Sequence, residues 1–307
     1  FAALKCLIWM LRTCLSCRRF YILLDQNQTT MKKLLFLLPL LAIFSCTDAD
    51  NPNRAKFNNS GCLECNNYSV GESFILNGIT YVVADTTILR TAIADGDDLT
   101  RYCTSNIADM SHMFYAIGDF NQDIGSWDVS NVTDMSNMFT GAFTFNRDIG
   151  SWDVSNVTNM NGIFSNATSF NQDIGNWDVS GVSVMAGMFN DATSFNQDIG
   201  SWDVSSGSSF NDMFNGATTF NQDIGSWDVS SLQNMYNMFS DATSFNQDIG
   251  SWDVSNVTDM SYMFYSATSF NQDLTQWCVS NISSMPSNFS TSSGFSASNH
   301  PVWGTCP

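Results

Sequence analysis

Phe245-Asn246-Gln247-Asp248-Ile249-Gly250-Ser251-Trp252-Asp253-Val254-Ser255 is a phrase that this 307-residue chain restates almost unchanged. Its tryptophan marks the interval: Trp127, Trp152, Trp177, Trp202, Trp227, Trp252 and Trp277 are each 25 residues apart, without insertion. A fixed period of this size is the signature of a solenoid, whose copies bury their apolar face by stacking and do not fold alone. The functional question therefore shifts from a pocket to a long regular surface.

One copy shows how a turn is expected to form. Ile149, Trp152 and Val154 have the spacing of a leucine-rich-repeat strand, with Trp152 and Val154 inward and Ser151, Asp153 and Ser155 outward. Val157 follows, and Thr158 is placed to cap a short helix. Met160, Ile163, Phe164 and Ala167 fall at i, i+3, i+4 and i+7, one helical stripe. Gly141, Asn166, Asp191, Gly216, Asp241 and Ser266 mark the helix end in successive copies, a position suited to a left-handed cap. The expected fold is a repeat solenoid, leucine-rich-repeat-like, with a short parallel strand and a short helix per turn. Stacking at about 4.8 Å turns each column into a ladder. The asparagine column from Asn121 to Asn271 is expected to satisfy backbone groups at a tight turn.

The ends read differently. Residues 1–30 precede Met31 and read as a non-native leader. Met31-Lys32-Lys33 and the apolar run from Leu34 to Phe44 form an export signal over 31–45, too short to span a bilayer. The polar, Asn-rich stretch 46–67 reads as a tether, and 68–98 as an N-terminal cap. In that cap, Ser73–Leu76 and Ile79–Val83 flank Asn77-Gly78, a hairpin signal. Asp85 or Thr86 can cap a helix that runs to Ala94 and stops near Gly96. Repeats then occupy 99–289, with Leu99 and Tyr102 already in frame, and 290–307 forms a C-terminal cap after Met285-Pro286 breaks the last copy.

Charge is lopsided, at −18 overall. Six of the eleven basic residues and only Asp25 among the acids precede Cys46, so a product beginning there carries 28 acids and 5 bases, a net −23. Such a chain repels nucleic acid and anionic lipid and suits cations or basic partners.

Trp127-Asp128-Val129-Ser130-Asn131-Val132-Thr133-Asp134-Met135-Ser136-Asn137-Met138-Phe139, followed by Ala142 and Phe145-Asn146, resembles the repeat of BspA-like leucine-rich-repeat surface proteins. Ile43-Phe44-Ser45-Cys46 likewise resembles a bacterial lipobox, which implies lipidation of Cys46. The resemblance implies a bacterial surface lipoprotein with adhesin-like binding to host matrix proteins or other cells.

Two aspartate columns could carry chemistry. Asp128, Asp153, Asp178, Asp203, Asp228 and Asp253 form an outward strip. Mutual repulsion is expected to raise some of their pKa values or to draw cations, calcium being the one that prefers oxygen ligands. Asp123 through Asp273, the second column, is expected to cap turns. Cys103 and Cys278 take the Asp128 position in the first and last copies. Cys278 is expected to pair with Cys306, and Cys103 with Cys62 or Cys65, a Cys62–Cys65 bridge being the rival. His112 and His300 recur in no column, and no nucleophile elbow, phosphate loop or metalloprotease helix is present.

These features lead to a non-enzymatic, monomeric protein, lipid-anchored and facing outward from the outer membrane. It would bind an extracellular protein or cell-surface ligand through the strip, contact membrane only through its lipid, and bind no nucleic acid. A structural coat or spacer without a specific ligand is the alternative, and a carbohydrate-binding protein the third reading. The last would need exposed tryptophans, whereas the pattern turns them inward.

Overall fold

The computed structural model describes residues 55–307. Cys46, the leader, the export signal and the first part of the tether lie outside the described residues.

The N-terminal cap follows its local signals. β1 (Lys56–Phe57) pairs antiparallel with β2 (Leu63–Glu64). β3 (Ser73–Leu76) and β4 (Ile79–Val83) form an antiparallel hairpin around Asn77 (φ 52°) and Gly78 (φ 79°). β5 (Tyr102–Cys103) adds to β4 in parallel. α1 (Thr86–Asp95) begins where the Asp85 carboxylate accepts the Ile88 N–H at 2.8 Å. It ends at Gly96 (φ 75°), whose N–H bonds the Ala92 and Ile93 carbonyls. The tether expected over 46–67 is corrected for residues 55–67. Ala55, Cys62, Leu63 and Cys65 are buried, and the Leu63 N–H donates to the Ser126 carbonyl at 2.8 Å. Apolar side chains and a parallel bridge from Leu63 to Trp127 fold this segment onto the first repeats.

The repeats themselves correct the expected strand and helix. Between β5 and a 3-10 turn at Ala297–Asn299 there is neither strand nor α-helix, only turns and isolated parallel bridges. These bridges join Asp109, Asp134, Asn159 and Val184 in series, and again Ser209, Asn234 and Asp259. The backbone alternates its loyalties. The N–H groups of Met135, Asn137, Phe139 and Gly141 donate to Asn159, Asn161, Ile163 and Ser165 of the next copy. Those of Met138, Thr140 and Ala142 turn back three residues. Left-handed φ values recur four residues apart, at Asn137 and Gly141, Gly162 and Asn166, Gly187 and Asp191. A left-handed residue every fourth position cannot continue an α-helix, although Met160, Ile163, Phe164 and Ala167 remain fully buried. The stretch expected as a strand is likewise a pair of turns, Trp152 to Ile149 and Val157 to Val154.

Side chains complete the contact between copies. Each of the seven repeat tryptophans is buried and donates its Nε1–H to a carbonyl of the preceding copy, Trp152 to Ile124 and Trp202 to Ile174 among them, at 3.0–3.3 Å. Asn146, Asn171, Asn196, Asn221, Asn246 and Asn271 each donate their backbone N–H to the preceding Asn Oδ1 at 2.9–3.2 Å, an asparagine ladder. Phenylalanine rings stack at 5.6–5.8 Å from Phe139 to Phe264 and at 5.8–6.1 Å from Phe145 to Phe270. This is wider than the expected strand spacing, because offset rings and turns, rather than a continuous β-ladder, set the separation. Elsewhere the backbones come closer: a Cβ at Gly125 would stand 2.6 Å from the Asp148 carbonyl oxygen.

Both ends of the array are closed. Thr86 Oγ1 and Arg90 Nη2, on α1, donate to the Asp109 and Ser111 carbonyls that no earlier copy can reach, at 3.1 and 2.7 Å. At the far end the pairing slips by one residue, Tyr262 to Ser287 and Phe264 to Phe289. The slip puts Pro286 where Met135 and Met235 donate to a following copy, so the last copy lacks that donor. The tail then folds back: the Val279 N–H donates to Thr305 at 2.8 Å and Phe295 is buried.

Candidate functional site

The aspartate column is built from short local turns. Oδ1 of Asp153, Asp178, Asp203 and Asp228 accepts the hydroxyl of the serine two residues on at 2.6 Å and its N–H at 3.0–3.1 Å. In Asp253 the Ser255 N–H makes the same bond at 3.0 Å. Oδ2 of these five has no protein donor among the described residues. Asp153, Asp178, Asp203, Asp228 and Asp253 are exposed, whereas Asp128 is 4% exposed, covered by the N-terminal cap, and leaves the strip.

The expected upward pKa shift is corrected in four members. Hydrogen bonds from Ser180, Ser205, Ser230 and Ser255, side chain first and backbone second, hold Asp178, Asp203, Asp228 and Asp253 below the ordinary carboxylate value. Repulsion from neighbours opposes this at Asp203 and Asp253 but is the smaller effect. Donors within one turn act at contact distance, while water screens the repulsion between exposed carboxylates. Such groups remain charged at neutral pH.

The second column does cap turns: Asp123, Asp148, Asp173, Asp198, Asp223 and Asp248 accept the glycine N–H two residues on at 2.9–3.2 Å, and Asp273 accepts that of Thr275. Asp123 and Asp148 also line a shallow polar hollow with Ser60, Thr100 and Ser151. Among the described residues no three His, Cys, Asp or Glu side chains gather closely enough to hold a metal ion.

The structure joins Cys65 to Cys103 and Cys278 to Cys306. Cys62 is left as a buried thiol whose Sγ lies 3.8 Å from the Ser151 carbonyl, its pKa raised foremost by burial. The two histidines stand in separate ends. His300 packs against Phe289 and Phe295, its Nε2 3.2 Å from Ser290 Oγ, and burial lowers its pKa. His112 leans on Tyr115, 5.5 Å between rings.

Exposed aromatics were not anticipated. Tyr115 and Phe143 are about half exposed and Tyr236 is exposed as well. The available signal was departure from the repeat: Tyr236 replaces Ser136, Asn161, Ala186 and Asn211 of the other copies.

A family model described as "Mycoplasma protein of unknown function, DUF285" matches residues 85–202, 149–230 and 185–303. No curated protein and no solved structure matches the chain. The overlapping matches cover most of the sequence as tandem repeats, and the chain belongs to this repeat family.

Proposed function

We propose that this chain is a non-enzymatic surface-binding protein, an adhesin-like member of the BspA-like group, built as a leucine-rich-repeat-like solenoid. In this reading it is exported, anchored through a lipid on Cys46 at the outer face of the outer membrane, monomeric, and contacts membrane only through that lipid. Its ligand is an extracellular or cell-surface protein, not nucleic acid.

The observation that carries the reading is the exposed aspartate strip. Asp153 to Asp253 repeat in five successive copies, four of them are held charged at neutral pH, and each presents an oxygen without a protein donor among the described residues. Carboxylates this acidic are poor general acids or bases at neutral pH, which favours binding over catalysis. A spacer without a ligand is the second reading, favoured by the near-identity of the copies and by the internal hydrogen bonds of the strip. Carbohydrate binding loses support because the seven repeat tryptophans are 1–4% exposed.

The test is capture of proteins from extracellular-matrix and cell-surface extracts on the immobilised full chain, with and without EDTA. Specific retention supports the binding reading, and its loss in EDTA would add calcium bound along the strip. Extracts that pass without retention would favour the spacer.

A further inference from the structure

Three tyrosines break the repeat on one face of the C-terminal copies. Tyr236 stands where other copies carry small or amide side chains; Tyr262 replaces Asn137, Gly162 and Gly187; Tyr265 replaces Thr140, Ser165 and Asn190. None is buried. The rings of Tyr236 and Tyr262 are 5.8 Å apart at 60°, and those of Tyr262 and Tyr265 are 5.9 Å apart at 58°. Tilted rings at this distance do not cover one another's faces. Backbone bonds bring the chain at two acids beside two of them: the Asp212 N–H donates to the Tyr236 carbonyl at 2.9 Å, and the Asp241 N–H to that of Tyr265 at 2.7 Å. The Asp212 carboxylate accepts Asn237 Nδ2 at 2.7 Å and Asn211 Nδ2 at 3.1 Å and keeps its negative charge.

The surrounding charge has one sign. From Asp148 to Pro307 the chain holds 15 aspartates and no glutamate, lysine or arginine. Aromatic faces attract cations, arginine most of all, and carboxylates supply the opposite charge. No cationic side chain of this half can meet them. At the other end a cation of the chain itself lies nearby. His112 and Tyr115 occupy the positions of Tyr262 and Tyr265, and the Arg90 guanidinium bonds the Ser111 carbonyl next to them at 2.7 Å.

We propose that Tyr236, Tyr262 and Tyr265, with Asp212 and Asp241, form the docking site for an arginine-rich segment of a partner protein. The proposal rests on the binding reading above and names the partner's chemistry. Its site is the tyrosine face, separate from the aspartate strip.

The experiment compares labelled nona-arginine and nona-lysine peptides on the full chain by fluorescence polarisation, at a salt concentration of about 150 mM so that diffuse attraction is screened. Arginine peptide is expected to bind at least about fivefold tighter than lysine peptide. Tyr236→Ser and Tyr262→Gly are each expected to remove most of that preference. Tyr262→Gly has an internal control for folding, because Tyr262 holds a left-handed φ of 59° at a position where Gly162 and Gly187 stand in other copies. Its melting temperature is expected to hold or rise. Equal affinity for the two peptides, or a preference that survives both substitutions, would overturn the site. Loss of peptide binding only when Asp178, Asp203, Asp228 and Asp253 become Asn would move the partner to the strip, ending this proposal and keeping the binding reading. Absence of binding to either peptide, together with no protein retained from extracts, would end both.

Discussion

Gly207 and Phe210 offer a test of how the copies share their core. Gly207 occupies the column of Val132, Val157, Val182 and Leu232, and Phe210 that of Met135, Met160, Met185 and Met235. The two departures compensate: a Cβ at Gly207 would stand 2.6 Å from Cε1 and 3.1 Å from Cζ of Phe210, whose ring meets Trp227 edge-on at 5.9 Å. Gly207→Val alone forces a branched side chain into that ring and is expected to cost about 1–3 kcal/mol. Phe210→Met alone leaves a partial void beside Gly207. Its cost of about 1–2 kcal/mol lies below the Phe→Ala range, because the flexible thioether refills much of the space. The double variant restores the pattern of the other copies. It is expected to match or exceed the parent, since Val also removes about 0.4–1 kcal/mol of glycine freedom from the unfolded chain. The coupling is then about 2–3 kcal/mol or more. Guanidinium unfolding followed by tryptophan fluorescence measures it, and hydrogen exchange at the Phe210 amide keeps the readout local, because repeat arrays need not unfold in one step. A double variant whose loss equals the sum of the single losses within about 0.5 kcal/mol would refute the compensation.

Further outcomes follow from the same contacts. Gly175→Ala drives a Cβ to 2.6 Å from the Asp198 carbonyl, a backbone atom, and is expected to lose about 1–3 kcal/mol by thermal melting. Thr275 fills the same column in the last copy, and Thr275→Ala is expected to stay within about 0.5 kcal/mol. Because Asp178, Asp203, Asp228 and Asp253 have lowered folded-state pKa values, the unfolded chain takes up protons first. The stability they contribute is full above the unfolded value of about 3.9 and is lost as pH falls through the folded values. Carboxyl NMR titration checks the direction, and midpoints above the ordinary value would contradict it. Tyr102, bonded to the Asp97 carboxylate at 2.6 Å, has its pKa raised to about 12. Its contribution is present below the unfolded value of about 10 and disappears as pH rises through the folded one, which ultraviolet titration of the phenol follows. Cys65→Ser opens a bridge between residues 38 apart and is expected to cost about 4 kcal/mol in the chain-entropy view, read from the unfolding midpoint with reduced parent as control.

Much of this was legible in the residues, for identifiable reasons. Asn77-Gly78 and the Asp85-to-Gly96 interval carry their own backbone chemistry, so the hairpin and α1 could be read locally. Inward tryptophans and the asparagine ladder were legible in the columns that the period aligns, although the strand expected at Trp152 is a pair of turns. The interior of each copy was harder to read, because Met160, Ile163, Phe164 and Ala167 fit a helical stripe while the backbone beneath them does not. The decisive signal was a second column of glycine, asparagine or aspartate, Asn137, Gly162, Gly187, Asp212 and Asn237, four residues before the Gly141-to-Ser266 column. Residues 55–67 read as polar linker because Leu63 and Cys65 find partners only across the chain, at Trp127 and Cys103. The pKa values of Asp178, Asp203, Asp228 and Asp253 move opposite to the expectation because the serine two residues on bonds each carboxylate directly, a contact that column spacing does not contain.

The binding role of the strip is tested most directly by comparing the intact full chain with a variant carrying Asn at Asp178, Asp203, Asp228 and Asp253. The measurement is retention of the same extract proteins across a salt series. A cationic partner is expected to be held by the intact chain, released as salt rises, and held at least about tenfold less by the variant. Equal retention by the two chains at every salt concentration would contradict a binding role for the strip.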